Sequence, residues 1–203
     1  ERELSSTFKM PIVFEIYFED GSKESARVMV ETDTAEVTLP LNGKELSYVL
    51  FDPNSEVMKQ VTFDKSKSML QAQAVAAENM IDRYDAMVAL SDVKFKDKEE
   101  FFLKRFDEET FHGIKSLIVR TLTGEKSKVK EQILLKALSD SDAEVRRTGL
   151  YNILEMTPAI EAQAIKCLQD SSYKNIETAL EVLCVTNLEG AQKYLDITEG
   201  MVG

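Results

Sequence analysis

Hydrophobic and polar positions alternate with a period of two over residues 8–63, then switch to a period near 3.6. Ile12, Phe14, Ile16 and Phe18 alternate with Val13, Glu15, Tyr17 and Glu19, which predicts a strand with one buried face. Asp20-Gly21 follows as a turn pair that tolerates positive φ, and Ala26, Val28 and Val30 mark a second strand. A third candidate carries Val37, Leu39 and Leu41 and ends at Asn42-Gly43, a strong hairpin signal. Leu46, Tyr48 and Leu50 begin the return strand, Asp52-Pro53-Asn54 breaks it, and Val57, Val61 and Phe63 supply a fifth. Five short antiparallel strands joined by tight turns predict a small β-sandwich, or part of one, over residues 1–65.

From Ser66 the apolar spacing is helical. Leu70, Ala74, Ala77, Ile81, Tyr84 and Val88 step by fours and threes, which predicts one long amphipathic helix. Ser68-x-x-Gln71 predicts a capping box at its start, and Asp97-x-x-Glu100 opens a helix holding Phe101, Phe102 and Phe106. Phe111, Ile114, Ile118 and Leu122 predict another helix over 110–122. Ser141-x-x-Glu144 caps a later one, and Thr157-Pro158 places a cap before a proline at the first helical position. No strand signal follows Phe63, so residues 66–203 read as all-helical.

That helical part repeats. Leu138, Gly149, Leu150 and Ile153 match Leu168, Ala179, Leu180 and Leu183 at an offset of 30, as 168 − 138 shows. Leu103, Ile118 and Leu122 match Leu135, Leu150 and Leu154 at an offset of 32. Helix pairs at such a period predict an α-solenoid, with a lead-in helix, three pairs and a further helix at 188–197. Leu138-Ser-Asp-Ser-Asp-Ala-Glu-Val145-Arg146-Arg147 resembles a HEAT-type turn, although the period is shorter than the roughly 40–47 residues usual for HEAT units. Gly149 sits inside a good helical pattern opposite its repeat partner Ala179, which predicts a close helix–helix contact there.

Charge removes some function classes. The 203 residues hold 36 Asp and Glu against 25 Lys and Arg, a formal charge of −11. Phosphate backbones are bound by clustered cations, so nucleic acid is excluded as an expected partner. At 43% hydrophobic and 30% charged, the composition predicts a soluble globular protein. No apolar run approaches the ~20 residues that span a bilayer, so no membrane partner is expected. The strand-rich part is acidic, with 7 − 13 = −6 over residues 1–65. Localisation is not readable: Glu1 stands where a full chain carries Met, so this reads as an internal or processed piece, with any targeting segment upstream.

The reactive inventory is thin. One histidine, His112, and two cysteines, Cys167 and Cys184, fall short of the ligand sets of usual zinc sites. Gly124-Glu125-Lys126-Ser127 resembles a phosphate loop, but Glu125 intervenes and position 119 is Val, so it reads as a helix–helix connection. Asp140, Asp142 and Glu144 alternate like calcium-loop ligands. The loop would need Gly and Glu where Val145 and Tyr151 stand, and carboxylates at a helix start are favoured by its dipole. His112 reads as a surface or satisfied histidine, and Phe101, Phe102 and Phe106 as core. Cys167 and Cys184 read as buried thiols; an oxidising compartment would allow them a disulfide. No catalytic, cofactor-binding or metal-ligating residue is therefore assigned, and no cofactor is expected in this chain.

A strand-rich segment leading directly into helix pairs resembles the C-terminal half of the aminopeptidase N family of zinc metallopeptidases. The resemblance rests on Phe8-Lys-Met-Pro-Ile12 entering a strand, Leu39-Pro-Leu-Asn-Gly43, and Phe51-Asp-Pro-Asn54 leading into Val57-Met-Lys-Gln-Val61-Thr-Phe63. It continues through Asn79-Met-Ile-Asp-Arg-Tyr-Asp-Ala-Met-Val-Ala-Leu90 and is nearest to members from bacteria related to the Bacteroidetes. It covers about residues 8–95; beyond them the match is to helical repeats in general. The family's His-Glu-x-x-His zinc helix, downstream Glu ligand and Gly-x-Met-x-Asn loop do not occur here, so no functional residue carries over. The resemblance implies a parent that removes N-terminal residues from peptides with a zinc held in a separate catalytic domain. This chain would then be a non-catalytic wall that limits access to the peptide chamber. Its partners would be that catalytic domain of the same polypeptide and the peptide substrate. The alternative is a sandwich–solenoid scaffold for protein–protein interaction with no enzymatic parent.

Overall fold

The computed structural model describes residues 9–32, 34–122 and 126–200. It is a mixed fold in which a small antiparallel sheet is followed by helices. The strands are β1 (Met10–Phe18), β2 (Lys23–Val30) and β3 (Leu46–Phe51). The helices are α1 (Lys67–Ala76), α2 (Met80–Ser91), α3 (Glu99–Glu108), α4 (His112–Arg120) and α5 (Lys128–Leu138). Then come α6 (Ala143–Tyr151), α7 (Pro158–Cys167), α8 (Tyr173–Thr186) and α9 (Ala191–Thr198), with a short 3-10 turn at Phe95–Asp97. Contacts divide the chain into two compact units, Glu1–Leu90 and Ser91–Gly203. Strand gives way to helix at Ser66, while α1 and all but the last residue of α2 belong with the sheet.

In the first unit β1 is the middle strand, paired antiparallel to β2 and β3. The Asp20-Gly21 turn forms with Gly21 at φ 79°, where a side chain would be strained. Three of the five expected strands form. Residues 37–41 stay irregular although Asn42 and Gly43 both take the positive φ that the hairpin turn requires. Pro40 lies in that run and has no N–H to give a ladder. Residues 57–63 also stay irregular; Met58, Val61 and Phe63 are exposed, so no buried face drives their pairing. The expectation of one buried face on β1 needs correcting as well. Ile12, Ile16 and Phe18 are buried, and on the opposite face Tyr17 stacks on the buried Tyr48 with ring centroids 4.3 Å apart. A central strand has two faces to cover, and α1 packs on the second through Met69, Ala72 and the following Ala77, against Tyr48 and Leu50.

The expected long helix is two. Ser66, rather than Ser68, caps α1 by accepting a hydrogen bond from the Met69 amide. The chain turns extended at Ala77, and Arg83 donates to the carbonyls of Ala77 and Glu78 in the bend that follows α1. Asn79 then accepts from the Ile81 amide and starts α2. The break rotates the buried stripe: α2 buries Ala86, Met87 and Leu90, while Ile81 (50% exposed) and Val88 (42%) face outward. Asp52, at φ 48°, ends β3; its buried carboxylate accepts from the Glu56 and Val57 amides and is paired with Lys59.

In the second unit α3, α5 and α7 pack in sequence on one side, and α4, α6 and α8 on the other. α5 and α7 start 158 − 128 = 30 residues apart, as do α6 and α8 at 173 − 143 = 30. The Thr157-Pro158 start forms as expected, with Thr157 Oγ1 accepting from the Ile160 amide. Two starts differ: α6 is capped by Asp142 instead of Ser141, and α3 begins after Lys98 with no side-chain cap. Phe102, Phe106, Ile114, Ile118, Ile133, Leu138, Leu150 and Leu183 form the buried interior between the two helix rows. Among the described residues no strand follows β3, and no helix is long and apolar enough to cross a membrane.

Candidate functional site

The residues singled out by sequence do not converge. His112 is exposed at the start of α4, its ring 5.0 Å from that of Phe111. Cys167 is buried and directs its thiol to the Leu138 carbonyl at 3.7 Å; burial raises its pKa to about 11. Cys184 is half-buried, and both thiols are free. Phe102 and Phe106 lie in the core, with Phe101 half-buried beside them. Among the described residues no three His, Cys, Asp or Glu side chains group to hold a metal. Gly124 and Glu125 of the phosphate-loop-like stretch lie outside the described residues, and Ser127 is the cap of α5.

The carboxylates of the calcium-like run serve separate partners. Asp142 accepts from the Glu144 and Val145 amides at 2.8 and 3.3 Å, Glu144 is paired with Arg147, and Asp140 with Lys115 at 2.8 Å. Lys115 and Arg146 hold the fourth positions of α4 and α6 and form two rungs of one ladder. Arg146 grips Asp170 through two parallel hydrogen bonds of 2.5 and 2.7 Å. Each aspartate also accepts the amide two residues on, Asp142 at 2.9 Å and Ser172 at 2.8 Å. Each rung thus ties the turn inside one helix pair to the second helix of the pair before it. Ile176 stands at the fourth position of α8, where the series stops. Burial by itself would raise the Asp170 pKa, but Arg146, the Ser172 amide and Asn175 outweigh it and bring it to about 2. The signal for these rungs was in the sequence: Leu138-x-Asp140-Ser141 and Leu168-x-Asp170-Ser171 are one motif at an offset of 30.

A second polar cluster lies inside the first unit. Lys65 donates to Gln73 at 2.5 Å, and Gln73 donates to the Asp82 backbone carbonyl at 2.7 Å. Asp82 Oδ2 and the Tyr48 hydroxyl are buried with no hydrogen-bond partner. Burial first, and Asp85 second, push the Asp82 carboxyl above the usual range; burial lowers Lys65. The folded chain therefore holds a proton on Asp82 more readily than the unfolded chain. Stability falls as pH rises from the ordinary aspartate range through the raised one. Asp82→Asn removes the charge and is expected to gain about 1 kcal/mol at pH 7, an increase of roughly 2–4 °C in Tm, with the gain shrinking as pH drops toward 4. Thermal melts at both pH values check it, and a lower Tm at pH 7 would show a charge-specific partner.

A groove of about 570 Å³ lies in the second unit. Its apolar floor comes from Leu122, Leu134 and Ile160, all buried, and Leu154 stands at its rim 68% exposed. Sequence matching pairs Leu154 with Leu122; both stand just past the ends of their helices, yet Leu122 is buried and Leu154 is exposed. The caps of α5 and α7, Ser127 and Thr157, both border the groove. Thr157 donates to Glu131 at 2.8 Å, Ser127 to Glu99 at 2.7 Å, and Lys126 pairs with Glu155 at 2.6 Å. Such a hollow can bind an apolar group beside an anion. No protein-family model and no curated protein matches this chain.

Proposed function

We propose that this chain is the non-catalytic C-terminal region of a zinc-dependent aminopeptidase, where it walls the peptide chamber and limits which substrates enter. The sheet is then part of a small β-sandwich, and residues 66–203 are a HEAT-like helical repeat domain. What carries the reading is the resemblance over about residues 8–95, including Phe51-Asp-Pro-Asn54 and the residues 79–90 that enter and form most of α2. The pairing of α4 with α6 and α8, and of α3 with α5 and α7, supports a wall built of stacked helix pairs. Zinc and the reacting groups belong to the catalytic domain of the same polypeptide, and the chain contributes shape.

Two measurements test this. The purified chain is expected to hydrolyse no aminoacyl chromogenic substrate and to carry no stoichiometric zinc; turnover that survives removal of contaminating proteases overturns the reading. The coding sequence upstream of Glu1 is expected to contain His-Glu-x-x-His with a downstream Glu. Its absence would favour the second reading, a scaffold for another protein, which the groove at the start of α5 supports in its own right.

A further inference from the structure

We propose that the groove between the starts of α5 and α7 docks a short acidic segment of another protein carrying one large aliphatic side chain. The inference goes beyond the chamber-wall reading and does not depend on it. The floor of Leu122, Leu134 and Ile160 offers an apolar bed, and covering the exposed Leu154 removes further apolar surface from water. The volume of about 570 Å³ lies within the range of ligand-binding clefts. Electrostatics choose the flanking chemistry. Two helices open on the groove at their N-termini, where the backbone dipoles present partial positive charge. The lining adds Lys126, Lys128 and Lys130 against Glu131 and Glu155, 3 − 2 = +1 in a chain of −11. Both glutamates are engaged, by Thr157 and Lys126, whereas among the described residues no carboxylate pairs with Lys128. Lys128 and the exposed Leu154 both line the groove, so one incoming segment can meet a cation and an apolar rim there.

Fluorescence anisotropy with short labelled peptides tests this: leucine flanked by Asp and Glu, the same peptide with Ser for Leu, and the same with Lys for the acids. The acidic leucine peptide is expected to bind at least about tenfold more tightly than either control, and to weaken as salt rises. Lys128→Glu and Leu154→Ser, both at exposed positions, are each expected to cost about tenfold in affinity. Lys174→Glu, an exposed cation on α8, is expected to cost nothing. Equal binding of the three peptides, no binding of any, or unchanged affinity in both groove variants overturns the proposal. So does concentration-dependent self-association that Leu154→Ser abolishes, which would give the groove to a second copy of this chain.

Discussion

Asp170→Ala is expected to cost about 3–5 kcal/mol of stability, because it leaves the Arg146 guanidinium partly buried with no counter-charge. The pair is well enclosed, with 4% of the Asp170 side chain and 15% of the Arg146 side chain exposed. The loss also frees the Ser172 amide and the Asn175 side chain, which both donate to this carboxylate. Asp170→Asn keeps the volume and one acceptor and should cost less. Arg146→Met combined with Asp170→Leu removes both charges and should cost less than Asp170→Ala, because no charge is left buried alone, although the Ser172 amide and the Asp140 carbonyl still lose a partner. The pH dependence follows from the depressed pKa. Folded Asp170 titrates at about 2, below the ordinary aspartate value, so its contribution is complete above that ordinary value and is lost as pH falls toward 2. Urea denaturation at pH 7 and pH 3 reads both effects: the gap between wild type and Asp170→Ala should narrow at the lower pH. A cost below about 1 kcal/mol at pH 7 would mean that water already solvates Arg146, and that the rung does not hold the pairs together.

The rungs mark what was legible in the sequence and what was not. Helix starts such as Thr157-Pro158 and the 30-residue repeat were readable because they depend on local spacing, and the structure keeps both. Ile81 and Val88 were misplaced because periodicity cannot see a break that Arg83 and Asn79 stabilise through backbone hydrogen bonds. The third and fifth strands were misread for a related reason. Alternation in Val37–Leu41 and Val57–Phe63 is present, but a strand also needs a partner and a face to bury. The pairing of Arg146 with Asp170, 24 residues on, is a tertiary contact that only the repeat hints at. The groove was the least visible feature. Leu154 at its rim is exposed where its repeat partner Leu122 is buried, a difference that matching by period conceals.

Gly149→Leu is expected to destabilise the second unit by about 1–3 kcal/mol, and Gly149→Ala to change it by no more than about 1 kcal/mol in either direction. Gly149 lies in α6 against α5, and both its neighbours across the contact are close. A Cβ placed on it would stand 3.2 Å from Leu138 Cδ2, 3.3 Å from Ala137 Cβ and 3.3 Å from the Leu138 amide nitrogen. The Leu138 methyl can turn aside; the amide nitrogen is backbone at the end of α5 and can move only with the helix. Alanine therefore meets two opposing effects: its helix preference of about 1 kcal/mol over glycine, and the few tenths of an ångström by which α5 must give. Leucine adds three further carbons to a contact already at its limit and gains nothing comparable. Thermal melts separate the two, at roughly 2–4 °C per kcal/mol for a chain of this size. Leucine at this position with an unchanged Tm would mean that α5 and α6 separate freely there. The small residue at Ala179, 30 positions on in α8, would then lose its explanation as the same close contact repeated.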